Sequence, residues 1–195
     1  MTQLTRMFSK EKYKGTRNYV NTQKRYEVLR TVLYFAISLS LFFAGWITTK
    51  SKMNLLTIVA VLGCLPASKS AVDAIMFLRF RSCSTVAADA IDAHVGTLTA
   101  GYDFIFTSYE KNYPVAHLAI KGNTICGYTE DAKFEENAFY KHIDRVLKTD
   151  RFTETNVKIF TDLKKYTARL DQLQALDTDE ANTQGILATL KSVSL

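Results

Sequence analysis

Nineteen consecutive uncharged residues, 31–49 (TVLYFAISLSLFFAGWITT), constrain the fold of this chain more than any other feature. About 20 apolar residues of α-helix cross the hydrocarbon core of a bilayer. Tyr34 and Trp46 stand near the two ends, where interfacial aromatic side chains are common. The rest of a 195-residue chain is too small to bury a helix that is apolar on all sides. The segment therefore predicts a transmembrane helix rather than the core helix of a soluble protein.

A second apolar segment follows after only a few residues. Residues 53–68 are sixteen uncharged residues, which is short for a span. Lys69 and Asp73 then follow, four apart, so that they can pair on one helix face, and Pro66 is a position for a kink. We expect a span from residue 53 that continues as an interfacial helix to residue 80, with a re-entrant segment as the alternative. The short linker 50–52 makes the two helices an antiparallel hairpin.

The positive charge is concentrated beside these segments. Residues 1–52 carry ten Lys or Arg against two acids, whereas residues 53–195 carry fifteen against seventeen. Nucleic-acid binding would require the basic charge on a folded domain, so anionic lipid headgroups are the expected partner. Eight of the ten precede the first span, and the positive-inside rule then places both termini in the cytosol. We expect an integral protein of the cell or inner membrane, without a signal peptide, because the basic region is about 30 residues long.

Two sets of residues are candidates for membrane contacts. The basic residues of the partly helical arm, residues 1–30, are predicted to contact lipid: Lys10, Lys12, Lys14, Arg17, Lys24, Arg25 and Arg30. Small residues spaced by four are predicted to pack helices: Ala36, Ser40, Ala44, Ala60, Cys64 and Ser68. This stripe either closes the hairpin on itself or contacts a second copy or a partner's helix.

Cysteine and histidine residues favour no metal or redox chemistry. Cys64, Cys83 and Cys126 are odd in number and widely spaced, which predicts neither a disulfide framework nor a structural zinc site. A reducing compartment is expected, and palmitoylation of juxtamembrane Cys83 is a minor alternative. The three histidines, His94, His117 and His142, lie on separate predicted elements, so we expect no metal site and no cofactor.

From residue 81 the pattern changes to that of a small cytosolic domain. Apolar periodicity predicts helices at 84–98, 134–149, 162–176 and 179–193, with Ser84 and Asp162 as N-caps. Segments rich in aromatic and β-branched residues predict strands at 102–109, 115–120, 124–129 and 156–161. The chain is therefore divided into a basic arm (1–30), a membrane hairpin (31–80) and an α+β or α/β domain (81–195). The order within the domain is α-β-β-β-α-β-α-α.

Asp103 on the first strand is followed, sixteen residues later, by Ala119-Ile120-Lys121 at the end of the second. This arrangement, over residues 84–161, resembles the restriction-endonuclease-like fold, whose motif is an acid followed by (D/E)-x-K. The resemblance implies a metal-dependent nuclease or phosphodiesterase using Asp103 and Lys121, with Glu110 or Glu130 as a further acid. Ala119 replaces the second motif carboxylate, and Mg²⁺ is normally held through carboxylates. The alternative is that Lys121 belongs to a hairpin turn, with Gly122 and Asn123 supplying positive φ.

Three functions follow from this organisation. The first is a non-catalytic anchor or scaffold that presents the domain to a protein partner, through an apolar or aromatic patch that involves Tyr109, Tyr113 or Phe134. The second is a membrane-tethered enzyme, degenerate at its motif. The third is a homo-oligomeric membrane assembly held together by the stripe of small residues.

Overall fold

The computed structural model describes residues 10–50, 54–109, 111–176 and 181–195, with only the backbone described at residues 10 and 11. After a 3-10 turn at Lys10–Tyr13, the described residues form six α-helices and four strands. The helices are α1 (Tyr19–Thr49), α2 (Leu55–Leu78), α3 (Thr85–Val95), α4 (Glu136–Thr149), α5 (Leu163–Gln174) and α6 (Thr183–Val193). The strands are β1 (Thr99–Thr107), β2 (Asn112–Lys121), β3 (Thr124–Tyr128) and β4 (Asn156–Phe160).

The order of elements after residue 81 agrees with the predicted order, with ends that differ by a few residues. The predicted caps are confirmed, since Ser84 and Asp162 accept hydrogen bonds from the backbone of the first turns of α3 and α5. The second apolar segment forms one continuous helix through Pro66 to Leu78. Its N-cap is Asn54, whose side chain accepts from the amide of Thr57.

The described residues fall into two compact units. Residues 20–81 form one unit, called the hairpin unit, and residues 11–19 together with 82–195 form the other, called the domain unit. The predicted arm of residues 1–30 is thus divided, because residues 11–19 belong to the domain unit. The domain unit is therefore discontinuous in sequence.

The four strands form one mixed sheet in the order β1-β2-β3-β4. The first three strands form the predicted antiparallel meander, and β4 pairs parallel to β3 after the crossover through α4. Lys121 pairs with Thr124, so Gly122 and Asn123 form a two-residue turn. Only Gly122 has positive φ (57°), and the expectation for Asn123 is wrong. Glycine alone at the first position is the pattern of a type II′ turn, which needs positive φ only there.

Helices cover both faces of this sheet. One apolar cluster packs strand residues such as Leu118 and Ile120 against α4 and α6. The other packs residues such as Ala119 and Cys126 against α3 and α5. Neighbouring strand residues point to opposite faces, so the domain unit has three layers with the sheet in the middle.

The free edge of β1 is covered by the two ends of the domain unit. The amide of Tyr102 donates to the carbonyl of Gly15 at 2.9 Å. Near the other end of β1, the amide of Leu195 donates to Ile105 O at 2.9 Å, and Ile105 N donates to Ser194 Oγ at 3.1 Å. Unpaired strand edges are templates for aggregation, and these contacts occupy part of this one.

Candidate functional site: the helical hairpin and the domain surface

The two long helices of the hairpin unit present apolar side chains outwards. Both are long and apolar enough to cross a membrane, and only 11% and 17% of their most apolar windows are buried. Large side chains on both are exposed, for example Ile47 at 75% and Leu55 at 76%. A core helix of a soluble protein is mostly buried, so these helices have the exposure pattern of helices that face lipid.

Three contacts define the antiparallel seam between α1 and α2. Thr31 Oγ1 lies 2.9 Å from Ser70 Oγ. A β-carbon on Gly63 would lie 2.7 Å from Ser38 Oγ, and one on Gly45 would lie 2.8 Å from Leu56 Cβ. The contacting positions advance by seven on each helix, which is the period of two helices packed as a coiled coil. Small residues at these positions allow the backbones to approach closely.

The predicted stripe of small residues is mostly outside this seam. Ala60 is buried, at 4% exposure. The other five predicted packing residues are on exposed faces: Ala36, Ser40, Ala44, Cys64 and Ser68. The period of seven was present in the sequence as Thr31, Ser38 and Gly45, and a search for spacings of seven in place of four would have found it.

Charged and hydroxyl side chains are gathered where the uncharged parts of both helices end. We call Glu27, Arg30, Thr31, Ser70 and Asp73 the polar belt. Arg30 pairs with Glu27, donates from Nε to Ser70 Oγ at 3.2 Å, and lies 3.6 Å from Asp73. The Glu27 side chain is 1% exposed, and its carboxylate also accepts from Gln23 Nε2 at 3.0 Å. Every charge in the polar belt therefore has an opposite charge close to it.

The seven basic residues predicted to contact lipid have different environments. Lys14 is buried at 9% exposure, and its Nζ donates to Lys191 O at 3.2 Å and to Ser194 O. Arg17 forms ion pairs with Asp89 and Asp92 of α3, and Arg30 belongs to the polar belt.

Three more residues of this set lie on the described part of the chain with their side chains. Lys12 and Arg25 are exposed, and Lys24 is half-buried with its Nζ 3.5 Å from Asn21 Oδ1. The side chain of Lys10 lies outside the described residues.

Asp103 and Lys121 do not share a site. The register places Asp103 opposite Ala116, five residues from Lys121 along β2, which is a separation of roughly 16 Å at 3.3 Å per residue. Asp103 Oδ1 accepts from the amide of Cys83 at 2.8 Å, and Lys121 Nζ donates to Gln174 O, at the end of α5, at 2.8 Å. Glu130 accepts from Ser84 Oγ at 2.6 Å, and Glu110 lies outside the described residues.

The backbone conformation at Asp103 changes the face of the sheet to which the next side chains of β1 point. Asp103 has φ of 59°, a left-handed conformation that aspartate tolerates better than most residues. Tyr102 belongs to the cluster under α3 and α5, whereas Phe104, two residues later, belongs to the cluster under α4 and α6. The buried Asp103 carboxylate thus has a structural partner in the Cys83 amide at the point where the strand rotates.

A buried aromatic network lies beneath α3 and α5, and the sequence analysis did not predict it. His117 is 0% exposed, and its Nδ1 lies 2.6 Å from the hydroxyl of Tyr166. Burial lowers the pKa of His117 to about 3 and raises the pKa of Tyr166 well above its usual value. Tyr102, whose ring centroid is 4.4 Å from that of His117, donates its hydroxyl to Asp92. A neutral, enclosed imidazole of this kind is a packing group.

The cysteines of the domain unit are poor nucleophiles. Burial, with the nearby carboxylates of Glu130 and Asp103, raises the pKa of Cys83 to about 12. Burial also raises the pKa of Cys126. The thiolate is the reactive form. Among the described residues, no group of three or more His, Cys, Asp or Glu side chains is placed to hold a metal ion.

A surface groove of about 930 Å³ lies between the β1–β2 turn and the start of α4. Tyr113 and Phe134 line it, with ring centroids 5.7 Å apart, and the fully exposed Tyr109 stands at its rim. Lys141 and Arg145 line the same groove, and both also line a neighbouring depression together with Lys148. The groove therefore combines aromatic surface with an exposed basic face of α4.

Charges around this groove are only partly compensated. Glu135 pairs with Lys111 at 2.7 Å, and Asp144 pairs with Lys148 at 2.7 Å. Burial and the adjacent Arg145 lower the pKa of His142, so its imidazole is neutral at pH 7. Lys141 and Arg145, and the carboxylate of Glu136 that also lines the groove, form no ion pair within the described ranges.

No family model, curated protein or solved structure matches the chain.

Two functional features were missed by the reasoning from sequence. The polar belt joins residues about 40 positions apart, and no local pattern connects them. The groove brings the β1–β2 turn next to α4, which depends on how the helix packs on the sheet. The aromatic residues Tyr109, Tyr113 and Phe134 were nevertheless selected from sequence, and all three line the groove.

Proposed function

We propose that this chain is an integral membrane protein that anchors its α+β domain at the cytosolic surface and presents the domain to a protein partner without catalysis. The observation that carries the first part is the distribution of side chains on the hairpin unit. Large apolar side chains face outwards on both helices, whereas the charged ones lie outside the uncharged segments 31–49 and 55–68, and three of them belong to the polar belt. In water, this arrangement would leave an extensive apolar surface exposed.

The dimensions of the hairpin support insertion. The nineteen uncharged residues of α1 are about 28 Å long at 1.5 Å per residue, close to the ~30 Å hydrocarbon core. On α2 the uncharged part covers residues 55–68, and Lys69 follows it. A lysine at such a position can extend its ammonium group to the headgroups. The basic residues before α1 then lie in the cytosol, and Lys50 lies at the opposite surface.

Labelling in intact cells tests this topology. Single cysteines at Lys50 and at Tyr109, in a chain lacking its native cysteines, are exposed to a membrane-impermeant maleimide. We expect Lys50→Cys to react in intact cells and Tyr109→Cys to react only after the membrane is opened. Release of the protein by alkaline carbonate would contradict membrane insertion, and labelling of both positions in intact cells would contradict the orientation.

The groove beside α4 is the surface we propose for the partner. Tyr and Arg residues are enriched at the energetically important centres of protein interfaces, and the exposed Tyr109 and Arg145 provide such groups here. The groove is lined by Glu135, which pairs with Lys111, and by Glu136, as well as by Lys141 and Arg145. The partner we infer is therefore a segment of another protein that carries an acidic residue for the basic face of α4 and an apolar or aromatic residue for the rest of the groove.

Site-specific photo-cross-linking tests the partner surface. A photoreactive amino acid at Tyr109 is expected to give a discrete cross-linked product that Lys141→Glu with Arg145→Glu abolishes. The matched control reverses the charges of Lys164 and Lys165, two exposed lysines of α5, by replacing both with glutamate. This variant is expected to leave the cross-linked product unchanged. Equal loss of the product in both double variants would contradict a role for the groove.

Homo-oligomerisation is a second candidate, because Ala36, Ser40 and Ala44 form an exposed stripe on α1. Light scattering of the detergent-solubilised chain would measure the oligomer mass, and Ala44→Leu is expected to reduce it. An unchanged mass would count against this candidate. The enzyme alternative receives no support from the positions of Asp103 and Lys121, and a metal-dependent phosphodiesterase assay with Lys121→Ala as control would test it.

A further inference from the structure

A pocket of about 470 Å³ opens on the hairpin unit beside the polar belt. Residues from both helices line it: Arg30, Tyr34, Pro66, Lys69, Ser70 and Asp73. Its volume is within the range of pockets that hold small ligands. The pocket lies where the uncharged segments of α1 and α2 end, so in an inserted hairpin it lies at the depth of the lipid headgroups.

Besides Arg30, the pocket offers the ammonium group of Lys69 and the carboxylate of Asp73, from residues about one helical turn apart. Arg30 is held by Glu27, Ser70 and Asp73, and the Gln23 amide gives Glu27 a further hydrogen bond. Lys69 is exposed and forms no ion pair among residues that the structure describes. The Asp73 side chain is 28% exposed and lies 3.6 Å from Arg30. The carboxylate is therefore accessible from the pocket.

These groups match a headgroup that carries both signs of charge. A phosphodiester accepts charge-assisted hydrogen bonds from an ammonium group such as that of Lys69. A primary ammonium donates three hydrogen bonds, for which Asp73 is the acceptor. A purely anionic headgroup would place negative charge against Asp73, and a quaternary ammonium donates no hydrogen bond. The site thus discriminates between headgroups by charge and by donor chemistry.

We propose that this pocket binds one zwitterionic phospholipid with a primary ammonium headgroup, of the phosphatidylethanolamine class. The phosphate contacts Lys69 and the ammonium contacts Asp73. This inference rests on the proposed insertion of the hairpin in a membrane. It extends that proposal, because basic residues alone favour anionic lipid, whereas the paired charges here favour a zwitterion.

Native mass spectrometry of the full-length chain in detergent tests the selectivity. The probes are phosphatidylethanolamine, phosphatidylcholine and phosphatidylglycerol with identical acyl chains. We expect one phosphatidylethanolamine molecule per chain, retained about tenfold better than the other two lipids. A tenfold difference in affinity corresponds to one charge-assisted hydrogen bond of about 1.5 kcal/mol. Equal retention of the three lipids, or preference for phosphatidylglycerol, would overturn the proposal.

Two variants separate the contributions of the pocket. Asp73→Asn is expected to remove the preference for phosphatidylethanolamine over phosphatidylcholine. Lys69→Gln, which breaks no ion pair of the described residues, is expected to lower the retention of all three lipids about tenfold. The matched control is Arg79→Gln, an exposed charge after the last residue of α2. If Lys69→Gln and Arg79→Gln behave alike, the pocket is not the binding site.

The same chemistry exists in a soluble molecule, glycerophosphoethanolamine. We expect it to bind far more weakly than the lipid, because it lacks acyl chains to cover the apolar helix faces. Binding of equal strength would assign the site to a soluble ligand and overturn the lipid assignment. Carbonate extraction of the membranes, before detergent is added, distinguishes the two proposals, since a protein that stays in the membrane but shows no headgroup preference contradicts only this inference.

Discussion

Two lysines of the domain unit hold the C-terminal ends of helices. Lys121 Nζ donates to Gln174 O, the last residue of α5. Lys14 Nζ donates to Lys191 O and Ser194 O at the end of α6. The last carbonyls of a helix lack intrahelical donors and carry the negative end of its dipole. An ammonium group at these positions therefore stabilises the helix and satisfies acceptors that would otherwise lack a partner.

Replacement of Lys14 measures this contribution. Lys14→Met is expected to lower the free energy of unfolding by about 1–3 kcal/mol, because buried acceptors lose a charged donor. Thermal unfolding of the full chain in detergent, followed by circular dichroism, measures the loss. The matched control is Lys12→Met, two residues earlier, whose side chain is exposed and whose replacement is expected to change stability by less than about 0.5 kcal/mol. Equal effects would contradict the role of Lys14.

We expect His117 to make the stability of the domain unit depend on pH. Burial lowers its pKa to about 3 in the folded state, against about 6.5 in an unfolded chain. Between these values the unfolded state binds the proton and the folded state does not, so stability falls as pH falls. The expected slope from this residue is about 1.4 kcal/mol per pH unit below pH 6. Denaturant unfolding between pH 4 and pH 7 measures it.

Two variants identify His117 as the source of this slope. His117→Gln is expected to be less stable at pH 7 and to show a shallower dependence on pH, because the titrating group is gone. Tyr166→Phe removes the hydroxyl that lies 2.6 Å from His117 Nδ1 but keeps the histidine, and is expected to retain a steep slope. A slope in His117→Gln as steep as that of the unmodified protein would exclude this explanation.

At the scale of elements, the hairpin depends on close approach of α1 and α2. Thr31, Ser38 and Gly45 face Ser70, Gly63 and Leu56 in antiparallel order. In the proposed membrane insertion, lipid would provide no hydrophobic drive for helix association, so packing and hydrogen bonds along the seam would have to provide it. The hydrogen bond between Asn54 Nδ2 and Thr49 Oγ1, at 2.9 Å, holds the two helices near the linker.

Replacement of Gly63 by leucine tests the seam. A β-carbon there would already lie 2.7 Å from Ser38 Oγ, so Gly63→Leu forces the helices apart and is expected to lower stability by about 1–3 kcal/mol. The matched control is Cys64→Leu, one residue further on an exposed face, which is expected to be neutral. Thermal unfolding in detergent gives the comparison. Equal destabilisation by the two changes would contradict the proposed seam.

At the scale of the whole molecule, the domain unit includes segments from both sides of the hairpin. Residues 11–19 precede the hairpin and residues 82–195 follow it. Lys14, Gly15 and Arg17 contact the end of α6, β1 and α3 respectively. In the segment that follows the hairpin, the amide of Cys83 donates to the carboxylate of Asp103, and the hydroxyl of Ser84 donates to the carboxylate of Glu130. Both segments that flank the hairpin in sequence are therefore held within the domain unit by named contacts.

A fragment comparison tests whether residues 11–19 are an integral part of the domain unit. A fragment of residues 82–195 is expected to be less stable, by roughly 3 kcal/mol, than a fragment in which residues 11–19 are joined to it by a flexible linker. Exposure of the β1 edge is also expected to promote aggregation. Urea unfolding measures the difference. If Lys14→Met does not reduce the benefit of the added segment, the contacts of Lys14 are not responsible for it.

The sequence alone determined the elements of this protein and their order. The two uncharged segments, the caps at Ser84 and Asp162, the meander and the helices that follow it depend on local periodicity and on turn residues, which can be read within windows of a few residues.

Only the tertiary structure decided which partner each polar residue has. Lys14, Lys121 and Arg30 carry the same charge in sequence, yet two hold helix ends and the third belongs to the polar belt. The separation of Asp103 from Lys121 follows from strand register, and the burial of His117 follows from packing of α5 on the sheet. Hydrogen bonds and ion pairs act over a few ångströms between residues that are distant in the chain, so local patterns do not contain them.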